Sequence, residues 1–316
     1  MGRFIVRRVL SMVAVLFAIS LLTFLIFQAI PNGDPAVRLA GRTATPETIS
    51  TVRHYWGFDK PLYVQYAKTM QHIADGSIRS YTQELNVENQ IVQDLPATLS
   101  LSIGAGVIWL ALGVLFGLLS AMTAGHLTDR IVTVLSMIGV STPVFFLGAM
   151  MSYYLGYKAN LLPPNNYVPL TSDPWGWFTH LLMPWFALSV LFIGIYARVL
   201  RNNVLDTMNE DFVRTARAKG LSNRRVMVHH VLRNSMIPII SLWGLDFAAV
   251  VGGGAILTES VFNLQGVGQY AADSIQRLDV PPVLVITMFG AFFVVLLQGV
   301  VDVLYAYLNP RIRLEG

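Results

Sequence analysis

The stretch Asp211–Pro238, DFVRTARAKGLSNRRVMVHHVLRNSMIP, lies between two long apolar runs and governs how the rest of the chain is read. It is basic, and a single glycine, Gly220, divides it. Before the glycine, Leu205, Met208, Phe212, Thr215 with Ala216, and Lys219 recur at spacings of three or four, the period of one helical face. Arg214 and Arg217 are three apart, fall off that face and project together. Gly220 stands where a left-handed helix C-cap belongs. Ser222 can cap a second helix through Arg224, Arg225, His229, His230 and Arg233, and Pro238 marks the start of the next apolar run. The spacing predicts two helices at an angle, with Ala216, Gly220, Leu221 and Ser222 at the elbow. Such a compact knob suits a groove on another protein. The same residues are also compatible with a basic juxtamembrane loop that holds topology and binds anionic lipid.

Working outward, the composition is that of a membrane protein. Of 316 residues, 54% are hydrophobic and 13% are charged, against about 25% charged in soluble domains. A bilayer-spanning helix needs about 20 apolar residues. Six runs qualify as candidates: Val9–Ile30, Thr98–Ala124, Ile131–Tyr157, Leu181–Tyr196 (continuing toward Leu200), Met236–Leu257 and Val283–Tyr307. The first follows Arg3, Arg7 and Arg8 but exceeds a signal h-region of about 7–15 residues, so it is expected to be a retained span. With the N-terminus inside, fourteen lysines and arginines fall in cytoplasmic segments, and only Lys158 and Arg277 fall in the short outer loops. That bias predicts N-in, C-in. The basic balance is therefore a topology signature and does not indicate nucleic acid.

The expected fold class is all-α, a polytopic membrane protein of six transmembrane helices with a small helical insertion on the outer side. It divides into 1–30 (N-terminus and first helix), 31–97 (the insertion) and 98–316 (a five-helix core containing the cytoplasmic loop 201–238). The insertion is too long for a bare connector. It carries helical spacing at Ile49, Val52, Tyr55 and Trp56 and again over Leu62–Ile73, with turns at Pro31–Pro35 and Asp59–Pro61.

Few ionisable groups fall within the apolar runs. Asp246 lies mid-span in the fifth, close to Gly252, Gly253 and Gly254, and Asp302 lies in the sixth. Glu259 follows the fifth at its outer boundary. Acids at such depth face a cavity or a partner, and consecutive glycines let helices approach or bend. Asp246 is equally compatible with an interhelical tie and with a pore-lining role. Pro143 must kink the third span and free a carbonyl, whereas Pro184 reads as a first-turn proline of the fourth. The apolar runs as drawn hold no histidine, so a proton relay is disfavoured. The sequence contains no cysteine, and the apolar runs hold no paired carboxylates, His-x-x-x-His pattern or Ser/His arrangement. The expectation is no catalytic residue, no metal and no cofactor on this chain.

Arg214–Leu221 (RTARAKGL) followed by Leu232–Pro238 (LRNSMIP) resembles the coupling loop of bacterial ABC-transporter permeases, and specifically the dipeptide, oligopeptide and nickel permease family. The family's general signature is Glu-Ala-Ala-x-x-x-Gly. Here Arg214 and Thr215 replace the Glu and first Ala, and Pro238 sits farther from Gly220. Further matching segments are Gly33–Pro35, Asp59–Pro61 with Gln65–Tyr66, Leu95–Leu99, Ser141–Phe145, Thr258–Phe262, Gly266–Gly268 and Asn309–Arg313. The closing segment is similar to the first of the two permeases usually encoded together.

The resemblance implies a permease of a binding-protein-dependent importer in the bacterial plasma membrane. It implies peptide cargo first, with nickel chelates or glutathione as the alternatives within the family. The implied partners are a second homologous permease, two ATPase subunits and an extracytoplasmic binding protein, with ATP and Mg on the ATPases. Arg214, Thr215, Ala216, Arg217, Gly220, Leu221 and Ser222 would couple to the ATPases. Asp246, Gly252, Gly253, Gly254, Glu259 and Pro143 are the pore or gate candidates. Independently of the resemblance, no Gly-Lys pair occurs anywhere in the sequence, so the phosphate-cradling GxxxxGK[ST] loop is absent. If the chain pumps with ATP, the ATP chemistry is on another polypeptide. A self-sufficient secondary carrier, with the central acid as its coupling group, is the reading from another class.

Overall fold

The computed structural model describes residues 2–29, 34, 36–37, 45–80, 82–83 and 85–308, with side chains omitted for 2–5, 27–29 and 302–308. The Asn309–Arg313 segment, most of the Pro31–Pro35 turn and the Asp302 side chain lie outside these. Thirteen helices follow in order among the described residues: α1 Gly2–Ala29, α2 Pro46–Trp56, α3 Leu62–Ala74, α4 Val87–Met122, α5 Leu127–Ser141, α6 Val144–Met151, α7 Pro174–Met208, α8 Asp211–Ala218, α9 Asn223–Val226, α10 Arg233–Ala249, α11 Ile256–Phe262, α12 Val267–Gln276 and α13 Val280–Leu308. Wider π-helical turns extend α6 through Ser152–Lys158, join α9 to α10 through Met227–Leu232, and finish α10 at Val250–Gly254.

Five helices are long and apolar enough to cross a bilayer: Val6–Ile26, Val87–Met122, Pro174–Met208, Asn223–Gly254 and Val280–Val301. The third expected span is a pair of helices, Leu127–Ser141 and Val144–Lys158, bent by 96°. Pro143 sits at the bend. It denies the chain an amide donor, and Thr142 before it is extended at ψ 121°, as a residue preceding proline prefers. Only if this pair is one crossing does the Asp211–Pro238 stretch fall on the same side as the N-terminal arginines, as the charge bias demands.

Several boundaries differ from the sequence reading, each for a local reason. α4 begins at Val87, inside the expected insertion, because the Asn86 side chain accepts from the Asn89 amide and caps the helix there. α7 begins at Pro174, where Asp173 accepts from the Trp175 amide. Pro174 is thus the first-turn proline, Pro184 is interior, and His180 falls within the helix. The second cytoplasmic helix does not stop at Pro238: Asn223–Gly254 is one continuous helical rod.

The core is the α4·α7 pair. Gly113 and Gly117, four apart on α4, let the backbones close in: a Cβ at Gly113 would lie 2.5 Å from that of Tyr196, and one at Gly117 would lie 2.8 Å from the Ala197 carbonyl oxygen. Small residues at this spacing are how membrane helices pack without a hydrophobic drive. Leu101, Trp109, Leu181, Leu188, Tyr196 and Leu200 fill the interface and are buried. α13 bridges α1 to α10, and α5 lies against α7. On the outer side, Tyr66 of α3 packs edge-on against Phe17 and Phe24 of α1, and its hydroxyl lies 2.6 Å from that of Ser20. The insertion is therefore docked on a span. A second tie joins it to the core: Asp279 accepts from the Ser80 hydroxyl at 2.5 Å and the Thr82 hydroxyl at 2.7 Å.

Candidate coupling elbow and outer gate

The elbow is built by a C-capping motif. The Leu221 amide donates to the Ala216 carbonyl and the Gly220 amide donates to the Arg217 carbonyl, the paired bonds of a Schellman motif. Gly220 takes φ +78° with open space around it, so glycine is there for the turn and not for clearance. Ser222 starts α9 in extended conformation without a side-chain cap bond.

The orientation of the elbow differs from the sequence reading in one respect. Its inward face is Val213 and Ala216, buried at 0% and 5% exposure, while Phe212 is 41% exposed. Asn209 and Glu210 break the helix between Met208 and Asp211, so the expected periodicity from Leu205 onward does not carry across. Ala216 therefore packs into the bundle with Val226 and Val231. Arg214, Thr215, Arg217, Gly220 and Ser222 face outward and Leu221 is half-buried. Lys219, Arg224, Arg225 and Arg233 are exposed beside them. This is a basic surface suited to an acidic groove.

The α9–α10 rod leads from the elbow to the other candidates. Asp246 lies within it, half-buried, and its Oδ2 accepts from the Tyr196 hydroxyl of α7 at 2.8 Å. The rod ends where Gly253 adopts φ 139°, a backbone state that only glycine holds without strain. Gly252 lies against the Gly290 backbone of α13, and Gly254 is exposed.

Beyond this break the chain is anchored elsewhere. Glu259 of α11 is fully buried. It accepts from the Thr98 hydroxyl of α4 at 2.8 Å and from the Gln269 amide at 2.8 Å. Thr98 in turn accepts from the Val267 amide at 2.9 Å. Glu259 and Thr98 together cap the N-terminus of α12, where free amides and the helix dipole favour an acceptor and a negative charge. The carboxylate fits because Gly266 and Gly268 have no side chain: a Cβ on either would collide with it. The Leu95–Leu99, Thr258–Phe262 and Gly266–Gly268 segments, scattered in sequence, thus meet in one latch. Burial opposes the charge and pushes the Glu259 carboxyl up to about 7, while the Thr98 and backbone donors pull against that shift.

Sequence reasoning missed a second carboxylate. Asp129, at the start of α5, accepts from Arg201 Nε at 2.7 Å and Nη2 at 2.8 Å, from the Ser120 hydroxyl at 2.5 Å and from the Gly125 amide at 2.9 Å. It gathers α4, α5 and α7 at their cytoplasmic ends. In the sequence Arg201 counts only as one more positive-inside residue. An acid and an arginine at the inner ends of neighbouring spans are the available signal. Pro143 stands apart from all these groups, exposed at the α5–α6 bend.

The comparisons with known proteins agree with this architecture. Residues 113–314 match the family described as "Binding-protein-dependent transport system inner membrane component", and residues 1–102 match its N-terminal companion. The chain belongs to that family. It is a permease subunit of an ABC transporter and not an enzyme, a multi-pass protein of the bacterial inner membrane. A "Probable peptide ABC transporter permease protein" of Sinorhizobium fredii is 35% identical, with 99% of this chain and 100% of that one covered. A "Di/tripeptide transport system permease protein" of Pseudomonas aeruginosa is 36% identical, with 98% of each chain covered. Among solved structures, the inward-facing MetNI methionine ABC transporter shares the fold with a TM-score of 0.55 at 17% identity, covering 69% of this chain and 96% of that one.

Proposed function

We propose that this permease forms half of the pathway of a peptide importer, paired with a second homologous permease, fed by an extracytoplasmic binding protein and driven by two ATPase subunits that carry ATP and Mg. The observation that carries this reading is mechanical. An exposed basic elbow is continuous, through one helical rod, with a glycine break at the outer side. The missing phosphate loop supports ATP chemistry on another chain, and the elbow offers an exposed handle that such a chain could push. Closure of the ATPases would swing Arg214–Ser222, and the α9–α10 rod would carry the swing past Asp246 to Gly253. There the rod uncouples from α11 and α12, which Glu259 and Thr98 hold to α4. Relative motion at that joint would open and close the outer side, and the Pro143 bend would let α6 follow without moving α5. Peptide cargo is taken from the relatives, whose names specify peptides.

The absence of cysteine makes a clean test possible. A Thr215→Cys permease, assembled with its partners, is expected to form a crosslinked adduct with an ATPase subunit through a short reagent that is thiol-reactive at one end and amine-reactive at the other. Tyr63→Cys, on the outer insertion and also exposed, at 75%, is expected to form none. An active Thr215→Cys transporter whose introduced thiol reacts with the reagent but never captures an ATPase would exclude the elbow as the coupling contact.

A further inference from the structure

We infer that Asp246, held by Tyr196, is the site in the pathway that receives the ammonium group at the amino terminus of the transported peptide. The inference rests on the peptide reading above and adds to it the chemistry by which the permease itself recognises cargo.

The first observation is an acid with no cationic partner among the described residues. Asp246 sits within the apolar part of the rod, and no lysine, arginine or histidine among the described residues pairs with it. Among those residues its side-chain partner is Tyr196 alone, at one oxygen. A carboxylate accepts at about four lone-pair sites, so most of its capacity is free. The side chain is half-buried and not sealed, so a ligand can reach it. A tie between α7 and α10 would need one acceptor atom and no charge.

The second observation is the aromatic residues that lie close in sequence to Asp246 and Tyr196 on their two helices. Trp243, one turn before Asp246, and Phe247, the next residue, stack at 5.1 Å between centroids. The Trp243 indole is fixed by donating to the Gly106 carbonyl at 2.9 Å. On the Tyr196 side, Trp109 and Phe192 stack at 4.4 Å. Aromatic rings together with a carboxylate are a recurring combination for binding an organic ammonium, since the ring faces are negative and the acid supplies the counter-charge. An aliphatic amine suits such a site better than a hydrated metal ion, which takes several oxygen ligands; no cluster of metal-ligating side chains occurs here among the described residues.

The third observation is location. Pro238, Leu245 and Ala249 are exposed along one stripe of the rod, and Asp246 borders it. A carboxylate on a lipid-facing stripe is disfavoured and one beside a water-filled path is not. The two halves of the site also lie on different elements. Asp246 rides on the rod that leads from the elbow, whereas Tyr196 stays on α7 against α4. Motion of the elbow would therefore change the Tyr196–Asp246 contact and release a bound ammonium.

The test separates charge from tie. Asp246→Asn keeps an acceptor for Tyr196 but removes the charge, and Tyr196→Phe does the reverse. In proteoliposomes holding the complete transporter, uptake of a labelled dipeptide is compared with that of its N-acetylated form. Both are supplied at concentrations that saturate the binding protein, and rates are normalised to loaded binding protein. The unaltered permease should prefer the free amine by at least tenfold. Asp246→Asn should bring that ratio to within about twofold of unity, while Tyr196→Phe and Asp246→Glu retain most of it. A ratio unchanged in Asp246→Asn, or Asp246→Asn and Tyr196→Phe reducing both substrates alike, would overturn the inference and leave Asp246 as a tie. If Asp246→Asn fails to assemble, loss of the preference in Asp246→Glu and Tyr196→Phe together would equally overturn it. Failure of the unaltered transporter to carry either dipeptide would instead remove the peptide reading on which the inference stands.

Discussion

Replacing Asp129 with alanine is expected to be among the most damaging single changes in this permease. The carboxylate is 7% exposed and holds the 27% exposed Arg201 guanidinium in a two-point pair. It also takes the Ser120 hydroxyl and the Gly125 amide, so four donors from three segments converge on two oxygens. Removing one partner of a shielded ion pair costs about 3–5 kcal/mol, because the surviving charge is left without compensation. Arg201 keeps some contact with water, which favours the lower end of that range. The expected result is a fall of roughly 6 °C or more in the melting temperature of the detergent-solubilised permease. Asp129→Asn, which keeps one acceptor, should fall between the two. A melting temperature for Asp129→Ala equal to that of the unaltered protein would mean the cluster is solvated and contributes nothing.

Glu259→Ala should have an effect of similar size at the other side of the membrane. Glu259 is fully buried, so alanine leaves the Thr98 hydroxyl and the Gln269 amide facing a void. Each unsatisfied buried donor costs about 1–3 kcal/mol, and the vacated volume adds to that. The pH dependence gives a second reading of the same residue. The folded carboxyl titrates at about 7 against an ordinary value of 4.5. Between those values the folded protein holds a proton that the unfolded chain has released. Stability contributed by Glu259 is therefore present below about 4.5, falls as pH rises through 7 and is level above. Thermal melts from pH 4.5 to 8 should show this decline in the unaltered permease and a shallower one in Glu259→Ala. An identical slope in both would assign the decline to other groups.

Much of this is legible in the sequence, and the reasons differ by element. Apolar runs and charge bias carry topology because a bilayer imposes them one segment at a time. The elbow is legible for a similar reason: a glycine at a left-handed helix cap, Gly220, is a local signal. What escapes is tertiary. Nothing within either segment says that Thr98 and Glu259 meet, or that Gly266 and Gly268 are glycines because a carboxylate lies against them. In the sequence Ala216 reads as part of the contact knob because it stands at the Gly220 elbow, but α8, set off by the Asn209–Glu210 break, buries it with Val213 and leaves Phe212 exposed. Pro184 misleads because the apolar run is not the whole helix. Asp173 and Pro174 begin the helix earlier, in a stretch too polar to register as membrane. Continuity through Pro238 is invisible for the converse reason: a proline ordinarily suggests a boundary, and here the helix runs through it.

Coupling of this chain to ATP hydrolysed on other subunits is most directly tested by uptake into proteoliposomes. Vesicles holding both permeases, the ATPase subunits and the binding protein should accumulate labelled dipeptide when ATP is present on the ATPase side. Vesicles holding the permeases without the ATPases should accumulate none above the level of empty vesicles. Concentrative, ATP-independent uptake by this permease alone would contradict the account and make the chain a self-sufficient carrier.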